Sequence, residues 1–109
     1  MITVDFKTEN NIIVEFTING HANGKYGTDI VCASVSSAAY MAVNTLTEVM
    51  RIDCQAEDRD GYMHLKISKE NAKKAKDVLD GFRLHITELA LQYPNEIKVI
   101  TRRKIKCLR

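Results

Sequence analysis

The stretch ITVDFKTENNIIVEFTI, Ile2 to Ile18, decides the fold. In Ile2–Lys7 the apolar Ile2, Val4 and Phe6 alternate with Thr3, Asp5 and Lys7, the period of two expected of a half-buried strand. Ile12–Ile18 repeats the pattern, with Ile12, Val14, Phe16 and Ile18 on one face. Glu9-Asn10-Asn11 between the runs reads as a turn. Two such runs so close together predict a β-hairpin, and its apolar face must be covered by other elements.

Further along the chain, the ten residues Asn19–Thr28, NGHANGKYGT, hold three glycines and read as a flexible loop. A helix should follow. Thr28 or Asp29 can cap it, and Ile30, Val31, Val35, Ala38, Ala39, Ala42, Val43, Leu46 and Met50 supply its apolar stripe. Ile52–Glu57 and Tyr62–Ile67 flank Asp58-Arg59-Asp60-Gly61 as a second hairpin. Ser68 opens a second helix whose stripe is Ala72, Ala75, Val78, Leu79, Phe82, Ile86, Leu89 and Ala90, and Pro94 marks its end. Glu96–Thr101 is a last strand. The predicted order is ββαββαβ, an α+β fold in which two amphipathic helices lie on an antiparallel sheet.

At 109 residues the chain has the size of one domain, 1–109, with one core and no room for a separate cofactor domain. Its 45% hydrophobic and 28% charged residues are ordinary for a globular protein. The start, MITVDFKTEN, lacks a basic region followed by an apolar run, and no apolar stretch is read as approaching a membrane span, so a cytoplasmic protein is expected. Cys32, Cys54 and Cys107 are odd in number and widely spaced, which argues against a disulfide framework and suits a reducing compartment. No pair of Cys or His has zinc-ligand spacing, so neither a metal nor another cofactor is expected. Five of the 16 basic residues, Arg102, Arg103, Lys104, Lys106 and Arg109, fall in the last nine positions, a basic tail from about residue 101 on a mildly acidic body.

The chemistry concentrates in GHANGKYGTDIVCASVS, Gly20 to Ser36. A cysteine nucleophile works as thiolate, whereas a free thiol titrates near ~8.5. Cys32 falls in the first turn of the predicted helix, where unpaired N–H groups and the macrodipole favour an anion. His21 lies upstream across the flexible loop, which can fold it back towards the sulfur as a base. The same N–H groups can hold the oxyanion of a tetrahedral intermediate. Against this stands a plainer account, in which Cys32 among Ala, Val and Ser is a core residue. Asp29 can orient His21 or serve as a helix cap. Ser36, one turn beyond Cys32, can be a small packing residue. Tyr26 can gate the site or cover apolar surface. His64 is expected to be an exposed strand residue, His85 a boundary residue, Cys54 core and Cys107 an exposed tail residue.

The segment resembles the ribosomal-processing cysteine proteases, the Prp family, through Gly20-His21-Ala22, the loop with Gly27, Asp29-Ile30-Val31-Cys32-Ala33 and Ser36. The resemblance implies Cys32 as nucleophile, His21 as general base and proton donor, and supporting positions at Gly20, Asp29 and Ser36. It implies a substrate-gating loop containing Ala22, Gly24, Tyr26 and Gly27. It also implies a homodimer that removes the N-terminal extension of large-subunit ribosomal protein twenty-seven. The competing reading is a non-catalytic ribosome- or RNA-associated module that uses the basic tail, although no aromatic residue is interleaved with those cations.

Overall fold

The computed structural model describes residues 1–21 and 29–104, with Asp29 by its backbone alone. The strands are β1 (Ile2–Glu9), β2 (Ile12–Asn19), β3 (Gln55–Arg59), β4 (Tyr62–Lys66) and β5 (Ile97–Arg103). The helices are α1 (Asp29–Asn44), α2 (Lys69–Lys74) and α3 (Lys76–Gln92). The sheet order is β3-β4-β2-β1-β5. All neighbours are antiparallel except β1 and β5, which run parallel. The α+β class and the element order match the sequence reading, but the sheet is mixed. A strand returning from α3 to the free edge of β1 arrives in the same direction as β1, which local patterning does not specify.

Asn10 and Asn11 both adopt positive φ, 51° and 65°, the backbone of a tight hairpin turn that asparagine tolerates. Near that turn the register slips between Lys7 and Thr8, so that Thr8 pairs with Ile13 rather than with Val14. The extra residue in β2 turns Ile13 into the core alongside Val14, and Ile12 is left half-buried. Ile12, expected on the core face, packs against the core from its edge, and Ile13, not expected there, is fully inside it.

The core lies between one face of the sheet and the helices. All three phenylalanines of the chain meet there. Phe16 and Phe82 have ring centroids 4.9 Å apart, and Phe6 meets Phe82 edge to face at 5.7 Å. This cluster pins α3 across β1 and β2, a gain beyond simple burial for each aromatic pair. Ser68 caps α2 by accepting from the Asn71 N–H at 3.1 Å. The single second helix expected from Ser68 onward is interrupted at Ala75 (φ −89°, ψ 0°), although no glycine or proline stands there.

The first helix buries Val31, Val35, Ala39, Ala42 and Leu46, whereas Ile30 and Met50 are exposed, so these two are removed from its core stripe. It continues through a π-helical turn, Thr45–Val49, and the chain leaves it at Arg51 with φ 58°. Ile30–Val49 is long and apolar enough to cross a membrane by length and composition, which corrects the expectation that no stretch approaches that length. One side of it, Val31, Val35, Ala39, Ala42 and Leu46, is core, and its closest backbone neighbour is α3.

The other face of the sheet is polar. His64, expected to be exposed, is half-buried and hydrogen-bonded to Glu15 at 2.6 Å. Arg102 pairs with Asp5, and β5 runs on to Arg103, so these two arginines are strand residues rather than tail. Burial pushes the Glu15 carboxyl up, but the His64 hydrogen bond and the charges of Lys7, His64 and Lys66 outweigh it and hold it below its ordinary 4.5. Glu15 therefore stabilises the fold above that value and loses the contribution as pH falls through the lower folded value. Glu15→Gln is expected to cost about 1 kcal/mol at pH 7 by urea denaturation, and the gap to wild type should close under acid conditions.

Candidate active site

β2 ends at Asn19, and the next two residues are held from both sides. The Gly20 N–H donates to the Gly61 carbonyl at 2.9 Å, and the Met1 amino group donates to the His21 carbonyl at 2.8 Å. Gly20 takes φ 97°, and a Cβ there would sit 2.3 Å from the Met1 carbonyl oxygen. Only glycine fits, for both reasons. His21 thus leaves the sheet in a fixed direction, with its side chain 62% exposed.

Its imidazole rests on the turn between β3 and β4. A Cβ on Gly61, which has φ 70°, would meet His21 Nε2 at 2.6 Å, Cδ2 at 3.2 Å and Cε1 at 3.3 Å. The Asp60 carboxylate reaches to 3.8 Å from Nε2.

Cys32 is the fourth residue of α1 and is half-buried. Cys32, Ser36 and Tyr40 follow at intervals of four and line one cleft with Gly20 and His21. The cleft has a volume of about 460 Å³. Ile2, Ile18, Val35 and Met63 form apolar parts of its wall, and Asp58, Arg59, Asp60 and Tyr62 form polar ones. The Tyr40 hydroxyl donates to Asp58, tying α1 to β3, and this bond followed by burial and the Asp58 charge raises the phenol above its ordinary value. Arg59 lies 4.1 Å over the Tyr62 ring.

The fold therefore brings His21, Cys32, Ser36 and Gly20 to one place. Ala22, Gly24, Tyr26, Gly27 and the Asp29 side chain lie outside the described residues, as does Cys107. Tyr40, Asp58, Asp60 and Gly61 were not picked out by sequence reasoning as site residues. For Tyr40 the signal was its phase with Cys32 and Ser36. For the turn residues there was none beyond turn composition. Cys54 is half-buried away from this cleft, and its thiol is pushed up by burial and by Asp53. His85 is exposed on α3. Among the described residues no group of three or more His, Cys, Asp or Glu could hold a metal ion.

A cysteine at a helix start that shares a peptide-sized cleft with a histidine is the equipment of a thiol hydrolase. The cysteine protease Prp family matches residues 1–98, and the chain belongs to it. It is a ribosomal-processing cysteine protease by family. The ribosomal processing cysteine protease Prp of Staphylococcus aureus (strain Mu50 / ATCC 700699) is 28% identical over 103 residues, 91% of this chain and 97% of that protein. The Prp of Bacillus subtilis (strain 168) is 25% identical over 96 residues, 82% of this chain and 86% of its own length. The crystal structure of Prp from S. aureus with a covalently linked product peptide superposes with a TM-score of 0.84 at 25% identity, covering 94% of this chain and 100% of that one. The non-catalytic module reading is set aside on this membership.

Gly20→Ala is expected to cost about 1–3 kcal/mol in denaturant unfolding, because it combines a clash with a strained φ. Gly81→Ala is the control. A Cβ there meets nothing within 4 Å, so helix propensity should make it neutral or stabilising by up to about 1 kcal/mol.

Proposed function

We propose that the protein is a cysteine endopeptidase in which Cys32 is the nucleophile and His21 the base, and that it trims the N-terminal extension of large-subunit ribosomal protein twenty-seven. The observation that carries this reading is the shared cleft of His21, at the clamped end of β2, and Cys32, at the start of α1. His21 takes the Cys32 proton, and the thiolate attacks the scissile carbonyl. N–H groups at the start of α1 that have no intrahelical partner hold the oxyanion. His21 returns the proton to the leaving amine, and water hydrolyses the thioester. Gly20 aims His21. Ser36, beside Cys32 on the cleft wall, supports the substrate. Asp29 and the residues Ala22, Gly24, Tyr26 and Gly27 belong to the same proposal as supporting and gating positions. A reducing cytoplasm suits a thiol enzyme.

The apolar wall of Ile2, Ile18, Val35 and Met63 supports a substrate segment with apolar side chains. A homodimer is part of the reading. Ile30, Met41 and Val49 are more than 60% exposed on the first helix and its π-helical extension. Beside them a groove of about 720 Å³ between α1 and α3 is lined by Ala38, Met41, Phe82 and Leu89. A second copy covering this face would remove apolar surface that a monomer leaves in water.

Incubation with the extended ribosomal protein, followed by mass spectrometry, should show loss of the extension. Cys32→Ala and His21→Ala should each lower the rate by at least about 100-fold, and full cleavage by both variants would refute the dyad. Met41→Asp should shift the sedimentation profile from dimer to monomer. A monomeric wild type at micromolar concentration would remove the dimer from the reading.

A further inference from the structure

We propose that Asp60 is a positioning residue for His21, so that the working site has three parts, the third lying outside the Gly20–Ser36 segment. The inference rests on the dyad reading above.

The β3–β4 turn meets His21 in three independent ways. Its Gly61 carbonyl accepts from the Gly20 N–H at 2.9 Å, which fixes the backbone just before the histidine. Its Gly61 Cα supports the ring, with room that any side chain would fill. Among the described residues its Asp60 carboxylate is the acidic group that pairs with the ring, 3.8 Å from Nε2. The backbone bond and the glycine seat together limit where the imidazole can lie. The carboxylate then selects which way it faces.

A carboxylate beside Nε2 favours the tautomer with a proton on that nitrogen. Nδ1 then keeps its lone pair and is the nitrogen that accepts the Cys32 proton. Once the ring is doubly protonated, the same carboxylate steadies the positive charge until the proton passes to the leaving amine. No other species is needed, because the proton moves from sulfur to Nδ1 and on to the amine nitrogen. The strand that leads into the turn is held as well, since Asp58 of β3 accepts from Tyr40 on the helix that carries Cys32. Asp60 is 98% exposed, so its replacement leaves the core untouched.

The test is the rate of Cys32 alkylation by iodoacetamide at pH 7, followed by peptide mass mapping so that Cys54 is counted separately. Wild type, Asp60→Asn, Asp60→Glu, His21→Ala and the double variant His21→Ala/Asp60→Asn are compared. Asp60→Asn should slow the reaction about two- to fivefold, the scale of an exposed ion pair. Asp60→Glu should recover most of the loss. In the His21→Ala background Asp60→Asn should change nothing, and in peptide cleavage it should lower kcat while leaving KM. Asp60→Asn reacting as fast as wild type, or losing as much without His21 as with it, overturns the assignment while leaving the dyad standing. Equal rates for wild type and His21→Ala would instead overturn the dyad itself and the assignment with it.

Discussion

β2 pairs with β1 on one side and β4 on the other, and its ladder decides where the cleft can be. Because β2 is enclosed, its end cannot drift. Met1, ahead of β1, and Gly61, ahead of β4, both lie beside that end and both bond to it. Gly20 is the point where the chain turns out of the sheet, and its φ of 97° leaves no choice of residue. His21 is thus delivered by sheet pairing rather than by the loop that follows it. A histidine placed by a rigid element loses less entropy on reaching working geometry than one placed by a loop.

Much of this was legible in the sequence. The alternation of Ile2, Val4 and Phe6 with polar residues, and the helical spacing of Leu79, Phe82 and Ile86, follow from side-chain period alone, and the structure buries all six. The pairing of β5 with β1 was not legible as parallel, because direction is set by the crossover and not by strand composition. The slip that buries Ile13 was equally hidden, since IIVEFTI fits either register until the tight Asn10-Asn11 turn is closed. His64 read as exposed because its own strand says nothing about Glu15, 49 positions away.

The site divided in the same manner. Gly20, His21, Cys32 and Ser36 stand within one short segment, and resemblance could register them together. Asp58, Asp60 and Gly61 come from a turn about forty residues beyond His21, and only the β2–β4 pairing brings them to the histidine. In sequence, Asp60-Gly61 has the composition of an ordinary turn. Its second role as the seat of an imidazole depends on what lies above it.

The orientation of Cys32 follows from core packing by a short step. Val31, Val35 and Ala39 are buried, and the very next residues, Cys32, Ser36 and Tyr40, line the cleft. Successive helical residues point about 100° apart, so the stripe that anchors α1 also fixes the direction of the cleft-lining row. Turning the helix by one residue would bury the thiol and expose three apolar side chains, each worth about 1 kcal/mol or more when buried. The core therefore holds the direction of the Cys32 thiol, the proposed nucleophile, with an energy that no single contact in the cleft supplies. The small side chains of CASVSSAA suit the close backbone approach of α3, while Ile30 and Met41 leave the outer face of the same helix apolar and exposed.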